Sequence, residues 1–496
     1  MTAVTVPGTA SSSAPTRPGP GPSAATSGRW AWLRERGMGA SVLVAAISGG
    51  FGVLLVAVTG LIGAWLMADP FLSGGETIII VVAILSVLLV AVAMYVAAIV
   101  TANTFATIVA GRTRQIALMR LIGASARSQR ARIARQGLIV GAIGAVIGLV
   151  GGTAAAVGLQ ELAARAWGLN VEYSIVQPVL LAPALVVALT TWVAAWAGSR
   201  RVLEVTPLAA LAGSAPRTAE EAAGRTRRRV TAVSLFAVGA VLLALGILAG
   251  FVTPLGVVVA FFGGLASFTG LSLGAALVMP PLLRLTGRLF GRSASARLAA
   301  ENALRYPERS SRMAIGVVMG VTLVTMFAVA TESVKGVMAA SGGGEVSGEM
   351  ARLLDTFTAV MMALVGVSAV IAAVGLVNLL TIGVVQRTRE LGLLRALGLT
   401  GRQIRSMVLF EAAHITITSV VFGLLLGIAY GWAAAQSLLG SVRVPPLWLA
   451  PNFVLPGIPW LTVAGIVVAT AVLTLVAAVV PTRLATRVSP VEALAE

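Results

Sequence analysis

The chain contains no cysteine, a single histidine (His414) and a single lysine (Lys335) in 496 residues. Without cysteine there is neither a disulfide framework nor a thiolate metal site. One histidine cannot build a multi-histidine metal cluster or the metalloprotease helix motif, which needs two. One lysine, flanked by Val334 and Gly336, cannot end a phosphate-cradling loop, which closes on Gly-Lys-Ser/Thr. Ser310 and Ser311 have no base near them in sequence, so a nucleophilic enzyme is a poor reading. Charge is also scarce, at 11% of residues against 58% hydrophobic, and the mean hydropathy is +0.96. Such a composition needs a lipid solvent for most of the chain.

What is present is apolar length. Stretches able to cross about 30 Å of hydrocarbon fall near 40–66, 77–110, 136–160, 176–198, 230–250, 255–283, 312–333, 354–385, 408–437 and 459–481. The expected fold is therefore an all-α polytopic membrane protein with about ten transmembrane helices. Around Pro254 the short connection from Gly250 reads either as a tight hairpin or as a kink in one long segment. Residues 1–28 are rich in Ser, Thr, Pro, Gly and Ala and read as a disordered tail without the apolar region of a signal peptide. Trp30 to Arg36 reads as an interfacial elbow helix.

Ten spans with both ends inside leave only Arg165, Lys335, Arg352 and Arg443 on the outer side, so 32 of the 36 basic residues lie inside. Eight acidic residues fall outside, giving −4 there and +22 within. Retention of basic loops fixes the orientation with both termini cytoplasmic. It also accounts for the net charge of +18 without nucleic acid, which is not expected as a partner.

One pattern occurs twice. Arg112-Thr113-Arg114-Gln115 and Arg387-Thr388-Arg389-Glu390 lie 275 residues apart, and at that offset Asn103 meets Asn378, Arg120 meets Arg395, Gly123 meets Gly398 and Arg127 meets Arg402. A register held without gaps over nearly thirty residues marks a duplicated chain. Near the end of each copy Arg200–Leu211 aligns with Arg483–Leu494 at an offset of 283, and the extra eight residues suggest a longer outer loop around Ser441–Pro459. Six spans separate equivalent points, an even number, so the two four-helix repeats share one orientation and are joined by two linking helices, unlike inverted-repeat transporters. The expected domains are a tail (1–28), a first repeat (29–212), a linker with spans five and six (213–292) and a second repeat (293–496). In the second repeat Arg297–Arg305 plays the elbow role.

In the inner segment after span eight, Leu391, Leu394 and Leu397 form an apolar stripe while arginines occupy other faces. Gly398 fits a helix-terminating position, and Thr400 with Gln403 has capping-box spacing. The first copy has Gly123 at the break and Ser125 at the cap, but Ser128 leaves half a box. A short, rigid, charged element at the membrane surface transmits force when a partner grips it. Inside the membrane, Gly144, Gly148 and Gly152 form a four-spaced row on span three and Gly423, Gly427 and Gly431 another on span nine. Such rows let backbones approach, either between the halves or between neighbours within each. Glu411 and His414 begin span nine, with Gln136 in place of Glu411 in the first copy. The favoured reading of Glu411 is a pair with Arg402 or Arg405, not a proton relay.

On these residues the chain resembles the FtsX/MacB-type permeases of ABC transporters, in a duplicated ten-helix form with short extracellular loops. The resemblance is strongest over Asn378–Glu411, good over Asn103–Gln136, and extends to Asn302–Arg312 and Pro490–Leu494. It implies that the inner segment is a coupling helix held in a cleft of a separate cytoplasmic ABC ATPase, two copies of which bring ATP and Mg; this chain would bind no cofactor. By motif, Arg387, Thr388, Arg389, Glu390, Arg395 and Gly398 carry coupling, with Arg112, Thr113, Arg114, Gln115, Arg120 and Gly123 as the weaker copy, because Gln115 stands where the family has glutamate. A homodimer is not required, since one chain carries both halves. Relatives often place a large folded domain after the first span, whereas Met67–Glu76 and Thr331–Leu354 are short here. The resemblance implies export or membrane extraction of an amphipathic lipid, peptide or drug-like molecule. The alternatives are a signalling or force-transmitting subunit acting on a cell-wall enzyme or sensor, and an ion-coupled carrier. The expected location is the cell membrane, and arginine in place of lysine suits a high-GC, bacterial genome.

Overall fold

A computed structural model describes residues 38–68, 125–167, 174–199, 226–288, 294–341 except 306, 397–441 and 453–487, with isolated positions 87, 88, 91, 95, 122, 393, 394 and 443. The described residues form α1 (Met38–Ala68), α2 (Ala126–Trp167), a 3-10 turn (Pro178–Leu180), α3 (Leu181–Gly198), α4 (Thr226–Gly250), α5 (Gly256–Leu273), α6 (Ala275–Gly287), α7 (Ala294–Arg305), α8 (Pro307–Ser341), α9 (Gly401–Leu439) and α10 (Trp460–Arg487). Among them α1 to α5, α8 and α9 are long and apolar enough to cross a membrane. Helices suit this solvent because each satisfies its backbone polar groups internally. The expected spans at 77–110 and 354–385 lie outside the described residues, apart from the four helical positions 87, 88, 91 and 95.

The centre of the molecule is built from the first span of each repeat. The apolar windows of α1 and α8 are 72% and 78% enclosed by protein, against 17% for α4. Val44, Phe51, Leu55 and Val58 of α1 join one buried cluster with Met313, Val317, Val321 and Val324 of α8. The outer faces of α2, α3, α4 and α10 instead expose leucine, valine and tryptophan, the surface expected against acyl chains.

Around Pro254 the chain makes a tight hairpin. Small residues on α4 and α5 meet at heptad spacing, so that added Cβ atoms at Gly239, Gly246, Gly263 and Gly270 would run into Ser267, Ala260, Leu243 and Phe236. This is antiparallel close packing through small residues. The expected span at 255–283 breaks at Gly274 (φ −89°, ψ 7°), where α6 begins. The hydropathy is continuous through the break, so the sequence pattern shows one span where the chain folds two pieces. The hairpin ties the halves together: Tyr95 Oη donates to Leu265 O at 3.2 Å and shares a 2.6 Å hydrogen bond with Thr269 Oγ1, while Ser267 Oγ meets Tyr430 Oη of α9 at 2.9 Å.

Two boundaries differ from expectation. Helix α8 runs to Ser341, so the first part of the expected polar outer segment from Thr331 is helical. Helix α2 covers 42 residues, well beyond the apolar stretch 136–160, since alanine and arginine on either side keep high helix propensity where hydropathy falls.

Candidate functional site

Gly398 is the one described glycine whose backbone adopts a positive φ, at 99°. Leu397 N–H donates to Leu393 O at 2.9 Å, and Leu399 N–H reaches back to Leu394 O at 3.1 Å, the six-to-one bond of a glycine-terminated helix end. Leu394 and Leu399 both pack on a cluster of Ala299 (α7), Ile404, Met407 and Val408 (α9), the apolar contact that accompanies such an end. Thr400 then opens α9 with a complete capping box, in which Gln403 N–H donates to Thr400 Oγ1 at 3.3 Å and Thr400 N–H donates to Gln403 Oε1 at 2.8 Å. At the first copy Ser128 N–H donates to Ser125 Oγ at 3.1 Å, while the Ser128 hydroxyl donates to Ser125 O at 2.8 Å and leaves the reciprocal bond unmade. The helix, break, helix pattern anticipated from the sequence is thus visible at Leu393 and Leu394 and again from Leu397 onward. The rest of the coupling set, Arg112, Thr113, Arg114, Gln115, Arg120, Gly123, Arg387, Thr388, Arg389, Glu390 and Arg395, lies outside the described residues.

A Cβ at Gly398 meets nothing within 4 Å, so the glycine is required by φ, not by space. Gly398→Ala is expected to cost about 1–2 kcal/mol locally through left-handed strain, with little change in global unfolding and a clear loss of coupling. Thermal unfolding and ATPase stimulation, measured together, check this; an equal fall in both would contradict it.

The two glycine rows sit within each repeat, not between the repeats. Gly144, Gly148 and Gly152 lie against Ala45, Ala46, Gly50 and Val53 of α1, and Gly423, Gly427 and Gly431 against Val321, Thr325 and Val329 of α8. Gly152 faces residue 50 and Gly427 faces residue 325, so the 275-residue register of the sequence reappears in the packing. The copies differ in detail: small residues meet small residues at α1, whereas valines and threonine on α8 fill the notches of α9.

Glu411, 3% exposed, accepts a hydrogen bond from Asn302 Nδ2 of the elbow helix α7 at 2.9 Å. Sequence reasoning missed Asn302, although Asn302 opens one of the segments that carry the family resemblance. Three residues on, the buried His414 has Nε2 at 2.8 Å from Leu283 O and 3.1 Å from Thr286 Oγ1, both on α6. Since a carbonyl only accepts, Nε2 carries the proton. Thr286 Oγ1 also meets Thr418 Oγ1 at 2.6 Å. Buried polar contacts therefore tie α9 to the elbow and to the linking helix on the same side as the Gly398 break.

At its other end α9 holds the segment that leads into α10. Trp432 Nε1 donates to Val454 O at 2.9 Å, Val454 N–H donates to Gln436 Oε1 at 2.7 Å, and Gly457 N–H donates to Ser333 Oγ of α8 at 3.0 Å. A continuous helix of 39 residues, about 58 Å long at 1.5 Å per residue, links the two ends.

A duplicated, all-helical bundle with a helix break at one membrane surface defines a class of membrane permease. The family model "FtsX-like permease C-terminal" matches residues 87–207 and 362–490, about half the chain, and the chain belongs to the FtsX-like permease family. The matched segments begin 275 residues apart and end 283 apart, the two offsets of the internal repeat. The chain is 27% identical to the Bacillus subtilis ABC transporter permease YknZ over 30% of this chain and 34% of that one. It is 35% identical to ABC transporter permease YtrF of the same organism, over 17% of this chain and 18% of the relative. To the macrolide export ATP-binding/permease protein MacB of Bordetella avium it is 28% identical, over 29% of this chain and 20% of the relative. The matches thus span about a third or less of these relatives' length. With its apolar helices, the family places the chain among multi-pass membrane proteins.

Proposed function

We propose that the chain is the membrane-spanning subunit of an ABC transporter, driven by two copies of a separate cytoplasmic ATPase that grip the segments at Arg112–Gln115 and Arg387–Glu390, with both termini cytoplasmic. The observation that carries this reading is the rigid path from the Gly398 break through α9. The break is packed on α7, pinned by the Thr400 box and the Asn302–Glu411 bond, and continuous with the outer strap at Val454. A tilt imposed on the coupling segment would then move the opposite membrane surface, with little lost in bending. The lone lysine supports an ATP-hydrolysing site on another chain, because no Gly-Lys-Ser/Thr loop can be formed. The substrate class is an amphipathic molecule, exported or extracted from the bilayer.

The outer strap favours one second reading. Since Val454 and Gly457 are fastened to both α9 and α8, the same lever could pass force to an external partner without moving a substrate. Reconstitution in liposomes with the ATPase and a fluorescent amphipath separates the two. ATP-dependent redistribution of the probe is expected; ATP turnover without redistribution would overturn transport in favour of force transmission.

A further inference from the structure

Topology asks for basic residues at both equivalent ends of the repeats, yet the ends have diverged. Along the start of α2 stand Arg127, Arg130, Arg132 and Arg135, followed by Gln136; at the 275-residue offset α9 has Arg402, Arg405, Met407, Phe410 and Glu411. Four cations in the first half therefore face two cations and a carboxylate in the second. The positive-inside rule supplies arginines to loops but gives no reason for a difference between two sites on the same side.

The geometry at Arg130 points to a ligand. Its guanidinium lies over the Trp196 ring of α3, 4.2 Å from the ring centre, an arrangement that holds the plane of the group while using none of its N–H donors. Its Nε and Nη2 are buried without a hydrogen-bond partner. An orphaned buried donor costs about 1–3 kcal/mol, more when charged, so the site is incomplete as it stands. Arg130 as a whole is half-buried, and a small turn of its head presents the fork to a phosphate, which guanidinium binds through two parallel bonds. Beside it on α2 Arg127 is exposed, as are Trp192 and Trp196 on α3.

Hydrocarbon continues from the indole along α3, where Leu185, Leu189 and Trp192 are exposed within about 40° of Trp196 at 3.6 residues per turn. A soluble anion would use the arginines and leave this track empty; a lipid uses both. Tryptophan beside arginine at headgroup level completes the pattern. In the second half the positions aligned with Trp192 and Trp196 at the 283-residue offset are Leu475 and Val479, so Arg405 stands where Arg130 does but the indoles belong to the first half alone.

We propose that the first repeat holds one anionic phospholipid, its phosphodiester bound by Arg130 beside Trp196 and its acyl chains laid along the exposed face of α3, and that the second repeat has no such site. The test is native mass spectrometry of the full chain with phosphatidylglycerol or phosphatidylcholine of identical acyl chains, and with glycerol phosphate as a soluble competitor. The wild type should retain one phosphatidylglycerol with a preference of about tenfold, equivalent to about 1.4 kcal/mol. Arg130→Gln and Trp196→Leu should each cut the preference to about twofold or less, and Arg405→Gln should leave it intact. Trp192→Leu, at an exposed position of α3 that leaves packing alone, should weaken retention about threefold and so tests the site independently of folding. Equal retention of both lipids, unchanged preference in Arg130→Gln and Trp192→Leu, or displacement by glycerol phosphate would each overturn the proposal. So would loss of ATPase binding in Arg130→Gln with lipid retention unchanged, which would assign the arginine to a protein carboxylate.

Discussion

Gly148→Ala and Gly427→Ala are each expected to lower the thermal midpoint of the purified protein by several degrees and to reduce its yield, while Gly151→Ala leaves both unchanged. The distinction is steric. A Cβ at Gly148 would lie 2.6 Å from Gly50 N and 2.7 Å from Ala46 O, backbone atoms that cannot move without parting the helices. At Gly427 it would strike Thr325 at its own Cβ, which no rotamer change relieves. Overfilling a well-packed contact costs about 1–3 kcal/mol, and in lipid no hydrophobic gain offsets it, because helix association there depends on close packing itself. Gly151, on the same helix, has nothing within 4 Å of an added Cβ, and alanine there gains helix propensity. Since α1 and α8 form the centre, pushing α2 or α9 away should also disturb the whole bundle. If all three variants melted alike, the glycine rows would not be the contacts described.

The second large effect is expected at the elbow. Asn302→Ala removes one donor to a buried carboxylate, and Glu411→Ala removes its acceptor; hydrogen bonds to charged groups contribute about 1.5–3 kcal/mol. Each single variant should therefore destabilise, and the double variant should cost little more than either, giving a coupling energy of about 1 kcal/mol or more in a double-mutant cycle. Because the bond joins α7 to α9 beside the Gly398 break, ATPase stimulation should fall further than stability alone explains. Strictly additive losses would show that the contact does not act as a unit.

These sites differ in how far the sequence reveals them. The Gly398 break and the Thr400 box were legible because both are local: a residue that tolerates positive φ, then a hydroxyl three residues before a glutamine. The glycine rows were legible as close-packing surfaces from four-residue spacing, and the repeat offset carried their register into three dimensions. Their partners were not, since spacing on one helix does not say which helix lies opposite. For the same reason Asn302–Glu411, 109 residues apart, and His414–Leu283, 131 apart, could not be paired by inspection; Arg405 and Arg402, six and nine residues from Glu411, were the partners that spacing alone suggested. The break at Gly274 was hidden by unbroken hydropathy. Arg130 was visible only as one basic residue among many; its two unpartnered donors exist only once α3 brings Trp196 alongside.

The inequality of the copies runs through both coupling ends. Thr400 has the complete box and Ser125 half of one, Glu390 stands opposite Gln115, and Glu411 opposite Gln136. On the proposed function the second copy makes the tighter mechanical connection, and the first presents the more basic surface. Replacing Arg387–Glu390 with alanines, and separately Arg112–Gln115, followed by co-purification with the ATPase and measurement of ATP hydrolysis, tests the central claim most directly. The account predicts loss of complex and activity for the first replacement and a smaller loss for the second; retention of the full complex with full activity after replacement of Arg387–Glu390 would contradict it.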